Sequence, residues 1–160
     1  GSGLLFKAFS PDATHPYRLI PLHLTLRAAR GPVTQWGPYR VAVRHTLRFA
    51  WDIVSGGPET RYAGLVFRPT AELWDTRGPL VWHAGLGGGF GWFDTRGVPG
   101  GQGQDFTLNI QGELGLRWRL NERTALNLSG VYQHNSNGGL KDPNPGLNTF
   151  GPTLGLHWSF

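Results

Sequence analysis

From Asp105 to Leu120 the even positions read Phe106, Leu108, Ile110, Gly112, Leu114, Leu116, Trp118 and Leu120. Between them stand Thr107, Asn109, Gln111, Glu113, Gly115, Arg117 and Arg119. Successive side chains of a strand point to opposite faces, so this alternation predicts a strand with one apolar and one polar face. Tyr39, Val41, Val43, His45, Leu47, Phe49 and Trp51 repeat the pattern against Arg40, Ala42, Arg44, Thr46 and Arg48. The same reading along the chain predicts eight strands, roughly 3–9, 17–30, 37–53, 59–74, 79–94, 104–120, 123–137 and 147–160. The first is short and alternates poorly.

Turn chemistry separates these segments. Tight connections are expected at Arg30-Gly31-Pro32, Asp75–Pro79 and Leu120–Arg123, and longer ones at Ser10–Pro16, Ser55–Pro58, Gly97–Gly103 and Gly138–Gly146. Short turns at one end and long loops at the other are the habit of outer-membrane barrels. Alternation alone leaves open which face points inward, and a soluble lipocalin-like barrel would bury the apolar one. The long strands argue for the membrane, since about 9–11 tilted residues cross a bilayer. A lumen-facing set of Arg40, Arg44, Arg48, Arg68, Arg117, Arg119, Glu72 and Glu113 would pair internally, with Gly85, Gly87, Gly89 and Gly91 making room. The chain also ends on an alternating strand closing at Phe160. The expected fold is all-β, one domain over residues 1–160: an eight-stranded antiparallel up-and-down transmembrane β-barrel of a bacterial outer membrane.

Composition sharpens this in three ways. Charged residues make up 16% of the chain, against about 25% in ordinary soluble domains. There is no cysteine, which excludes disulfides, thiolate metal sites and cysteine nucleophiles. Fifteen Lys and Arg against ten Asp and Glu give +5, which favours an anionic partner without naming it. No apolar run is long enough for a membrane helix, and Gly1-Ser2-Gly3 carries no signal-peptide pattern and reads as a processed end. The six histidines show no paired metal spacing. Gly85–Gly91 lacks the spacing of a dinucleotide loop and lies in a strand. The tryptophans fit aromatic girdles.

On the seventh predicted strand the outward positions run Leu126, Leu128, Gly130, Tyr132, His134 and Ser136, an apolar series ending in an imidazole and a hydroxyl. On the eighth, Asn148 opens the series that continues Phe150, Pro152, Leu154, Leu156, Trp158 and Phe160. Antiparallel pairing through the 138–146 loop brings the three polar side chains together on the outer wall near the rim. Polar groups on a lipid face are costly and point to function. His134 can serve as base for Ser136, and Asn148 can orient the imidazole. The alternative is a set of rim residues in the headgroup zone.

Tyr132-Gln133-His134-Asn135-Ser136-Asn137-Gly138-Gly139, continuing to Pro143-Asn144-Pro145-Gly146-Leu147-Asn148, resembles the C-terminal signature of the lipid A 3-O-deacylase family. Looser likeness extends upstream through Phe67-Arg68-Pro69, Ala84–Gly91 and Phe106–Leu120. The resemblance implies an outer-membrane serine esterase that removes an ester-linked acyl chain from lipid A of lipopolysaccharide in the outer leaflet. It implies no cofactor, no metal and no nucleic acid, and leaves a homodimer open. It makes Ser136 the nucleophile, His134 the base, and Asn137 and Gly139 the oxyanion-stabilising positions. The family's acid position falls on Asn148, and the only nearby loop carboxylate is Asp142. An amide can orient the ring but carries no charge. Two other readings remain at this stage: a catalytically silent structural or adhesive barrel, and the soluble ligand-binding barrel. Arg61 and Arg96, near the long loops, are candidates to meet lipid A phosphates.

Overall fold

A computed structural model of the chain describes residues 1–9, 15–28 and 31–159. They form ten strands: β1 (Ser2–Gly3), β2 (Leu5–Lys7), β3 (Arg18–Arg27), β4 (Val33–Trp36), β5 (Tyr39–Gly56), β6 (Arg61–Asp75), β7 (Leu80–Phe93), β8 (Phe106–Arg119), β9 (Thr124–Ser136) and β10 (Leu147–Trp158). From β5 to β10 each strand pairs antiparallel with the next, and β3 pairs with β5. β10 pairs with β1 and β2, and both pair in turn with β3, so the ring closes. β1 and β2 are halves of one stave, and β3 and β4 both lie along β5 as halves of another. Ten strands therefore make eight staves.

The turn expected at Arg30-Gly31-Pro32 is not a turn. Arg30 lies outside the described residues, and beyond Pro32 the chain resumes pairing with β5 as β4, reversing only at Gly37-Pro38. Between Arg27 and Val33 the chain advances six positions while its partner runs four, from Thr46 to Ala42. Gly31, next to residues that lie outside the description, has φ 151°. The expected terminal Phe160 also lies outside the described residues.

Burial decides which face is inside. Along β5, Arg44, Thr46, Arg48 and Asp52 are buried, while Val43, Leu47, Phe49, Trp51 and Ile53 are exposed. β8 repeats this with Thr107, Asn109, Gln111 and Glu113 inside and Leu108, Ile110 and Leu114 outside. The polar face lines the lumen and the apolar face lies outside, as in a transmembrane barrel. The soluble alternative required the reverse and fails on this point. Trp82, Trp118 and Trp158 stand outside toward the short-turn end, and Trp51, Phe90, Trp92 and Phe106 toward the long-loop end. Phe90, Trp92 and Phe106 pack against one another, as a girdle does.

The lumen is filled by a connected polar column. Glu113 takes Arg48, Arg68 at 2.7 Å and the Ser129 hydroxyl at 3.0 Å. Arg48 also donates to Gln111, Gln111 to Gln133 at 2.9 Å, and Gln133 to Asp52 at 2.7 Å. Near the long-loop end a small apolar cluster of Tyr17, Ala50, Tyr62, Phe93 and Leu147 caps the column. Glycines on β7 let it approach β6 and Arg68: a Cβ on Gly85 would sit 2.9 Å from Arg68 Nε, one on Gly87 2.1 Å from the Phe67 carbonyl, and one on Gly89 1.8 Å from that of Leu65. Arg40 and Arg119, expected in the lumen, are instead exposed at the short-turn end.

Candidate active site

β9 carries His134 and Ser136 on its outer face, half-buried, at its long-loop end. β10 begins there, and the antiparallel register sets Asn148 directly opposite His134. The sequence expectation of a shared outer face is met by this register for all three residues. His134 Nδ1 lies 2.7 Å from Asn148 Oδ1. No hydrogen bond joins His134 to Ser136 among the described residues, which stand two positions apart on one strand face.

Two further contacts fix Asn148. Its Nδ2 donates to the Phe9 carbonyl at 2.6 Å, and its Oδ1 accepts from the Tyr132 hydroxyl at 2.6 Å. A carbonyl can only accept, so the amide NH2 must face Phe9 and the oxygen must face His134. That oxygen can only accept in turn, so Nδ1 carries a proton, and in the neutral imidazole the lone pair is on Nε2. The neutral amide thus sets the tautomer a general base needs. Asp142 is exposed in the loop, and the Nδ1 it would have to reach is already taken by Asn148.

The loop from Asn137 to Gly146 is organised by Asn137, whose side chain is fully buried. Its Nδ2 donates to the Lys141 and Pro143 carbonyls, its Oδ1 accepts from Gly139 N–H at 2.9 Å, and its own N–H donates to Asn144 Oδ1 at 2.9 Å. Both expected oxyanion positions are therefore held within the loop in this state. Gly138, Gly139 and Gly146 have φ of 68°, 74° and 60°, a region that favours glycine. Gly146 also brings the backbone so close that a Cβ there would lie 3.4 Å from His134 Cε1. The neighbouring loop braces this one through Gly103 N–H to the Pro143 carbonyl at 2.7 Å.

Arg61 and Arg96 are exposed at the same end, and neither side chain has an ion-pair partner among the described residues. Asp94 ties the chain beside Arg61. Partial burial pushes its carboxyl upward, but hydrogen bonds from Thr60 and the Arg61 N–H outweigh this and hold it below the ordinary value.

Sequence reasoning gave no role to three participants. Tyr132 was on the outward face two positions before His134, a signal that was available. Asn144 has its Oδ1 engaged by Asn137 N–H, while its NH2 has no hydrogen-bond partner among the described residues. Phe9 contributes only a carbonyl from far along the chain, which no local pattern marks.

Residues 26–157 match the family described as lipid A 3-O-deacylase (PagL). The chain belongs to the lipid A 3-O-deacylase family. A crystal structure of the outer membrane enzyme PagL is similar to it with a TM-score of 0.65 at 16% identity, over 96% of this chain and 95% of that one. That likeness is one of fold. No curated protein sequence matches the chain.

Proposed function

We propose that this lipid A 3-O-deacylase works in the bacterial outer membrane as a serine esterase, with Ser136 as nucleophile, His134 as base and Asn148 as orienting group. The observation that carries the reading is the Nδ1 contact of His134 with a clamped Asn148 oxygen, which leaves Nε2 free on the lipid side. Ser136 Oγ attacks the acyl carbonyl as its proton passes to His134 Nε2. The tetrahedral oxyanion collapses, the sugar oxygen leaves with that proton, and the acyl chain stays on Ser136. Water, deprotonated by the same imidazole, then attacks the acyl-enzyme; the fatty acid departs and Ser136 regains its proton.

Oxyanion stabilisation comes from donors of the 137–146 loop. Asn137 and Gly139 are the positions implied by family likeness, and they serve once they release their internal partners. The Asn144 NH2 needs no such release. Arg61 and Arg96 are the cations for the substrate's phosphates. The site opens sideways to lipid, which suits a substrate whose acyl chains never leave the bilayer. One chain supplies all three reacting groups, so the chemistry needs no second copy.

The test is mass spectrometry of lipid A after incubation with the detergent-folded protein. The wild type is expected to remove one ester-linked hydroxyacyl chain from the 3-position, and Ser136→Ala to remove none. Equal hydrolysis by a folded Ser136→Ala barrel would overturn the assignment of the nucleophile.

A further inference from the structure

At the short-turn end of the lumen the arginines outnumber their partners. Glu72 on β6 accepts from Arg27 Nε at 2.6 Å and from Arg27 Nη2, and from Arg117 Nη1 at 2.9 Å. Arg44 Nε approaches the same carboxylate only to 4.0 Å. Three guanidinium groups thus crowd one carboxylate. Arg119 and Arg123 line the same cavity, where Glu122 is the one other carboxylate. Five arginines against two glutamates leave three positive charges, more than half of the chain's net +5. The cavity between them has a volume of about 240 Å³ and opens at the turns.

Two of these groups are short of hydrogen-bond acceptors. The Nε atoms of Arg44 and Arg117 are buried and have no hydrogen-bond partner among the described residues. The Arg44 side chain is only 8% exposed. Arg117 already donates through Nη1 to Glu72, and Arg44 through Nη1 to the Gly31 carbonyl at 3.1 Å, so it is the Nε donors that are left over. A guanidinium cannot shed its proton to escape burial, and three of them sharing one carboxylate are only partly neutralised. Its remaining route to neutrality is an anion from outside. The planar fork of arginine matches a tetrahedral oxyanion in paired hydrogen bonds, and several forks around one cavity favour phosphate over a monovalent halide.

We propose that the short-turn mouth of the barrel is a binding site for a phosphate group, held by Arg44 and Arg117 within and by Arg119 and Arg123 at its rim. In a barrel with its long loops outward this mouth faces the periplasm and the inner leaflet. The phosphate therefore comes either from free inorganic phosphate or from the headgroup of an anionic phospholipid. The site lies at the opposite end of the staves from His134 and Ser136, so it is separate from the deacylation chemistry and does not rest on it.

The experiment uses the full chain folded in a neutral, phosphate-free sugar detergent. Inorganic phosphate is titrated against chloride at constant ionic strength, and heat of binding and the unfolding midpoint are read. Saturable binding that raises the midpoint is expected, weakened by about tenfold or more, or about 1.4 kcal/mol, in Arg119→Gln/Arg123→Gln. Both substituted residues are exposed at the mouth, and unchanged deacylation by that variant shows that it is folded. The second arm repeats the titration in vesicles of a neutral glycolipid with and without phosphatidylglycerol. Phosphate binding that survives phosphatidylglycerol identifies the free ion as ligand; stabilisation by phosphatidylglycerol that abolishes the titration identifies the headgroup. Absence of saturable binding in both arms, or an equal response in the double variant, overturns the proposal.

Discussion

In the proposed triad the neutral amide of Asn148 stands where a carboxylate would stabilise an imidazolium in the transition state. What it offers instead is orientation, enforced from two sides by the Phe9 carbonyl and the Tyr132 hydroxyl. Asn148→Ala removes both tautomer control and ring placement, so kcat is expected to fall by about 100-fold or more. Tyr132→Phe removes one hydrogen bond of about 1 kcal/mol, so kcat should fall roughly 3- to 10-fold. KM should be unchanged in a fully folded barrel, because Tyr132 acts through Asn148 and not on the substrate. Steady-state kinetics on a lipid A ester separates these cases; a rise in KM with unchanged kcat would place Tyr132 in substrate binding instead. His134, Ser136 and Asn148 were legible because parity and one hairpin suffice to bring them together. The clamp was not, since it depends on register across β9 and β10 and on a carbonyl from the first stave.

Strands were the most legible level of the structure, because a period of two held over long runs leaves little choice of register. The one connection misplaced, at residues 30–32, fell where two glycine–proline pairs, Gly31-Pro32 and Gly37-Pro38, carry the same local signal. Which of them reverses the chain is decided by pairing along β5, a long-range fact. The glycine-rich β7 was read as making room, and the close approaches show how strictly. Gly89→Ala would drive a methyl into the Leu65 carbonyl and pry β6 from β7, at a cost of about 1–3 kcal/mol or more. Gly88→Ala faces outward, with the nearest contact at 3.5 Å, and should be nearly silent. Urea titration of both variants in detergent checks the contrast. Equal stability would mean that the strands slide apart freely.

Across the whole molecule, stability and chemistry occupy opposite faces of the same wall. The lumen holds the barrel by charge pairing around Glu113, where Arg48 and Arg68 meet one carboxylate. The outer face meets lipid and carries His134 and Ser136, the proposed reacting groups, at its rim. Because every stave contributes to both faces, a lumen residue sits only one position along the strand from a lipid-facing one, yet the backbone separates their environments. Removing one partner from a buried ion cluster leaves the others uncompensated, at a cost of about 3–5 kcal/mol. Glu113→Ala should therefore lower the unfolding midpoint sharply. It should leave kcat per folded molecule unchanged below that midpoint, since Gln133 and Asn135 hold β9 from inside while His134 and Ser136 face out. Thermal unfolding by circular dichroism, paired with deacylation rates at a temperature where the variant is folded, reads the two effects separately. A loss of kcat as large as the loss of stability would show that the polar column also positions the catalytic rim.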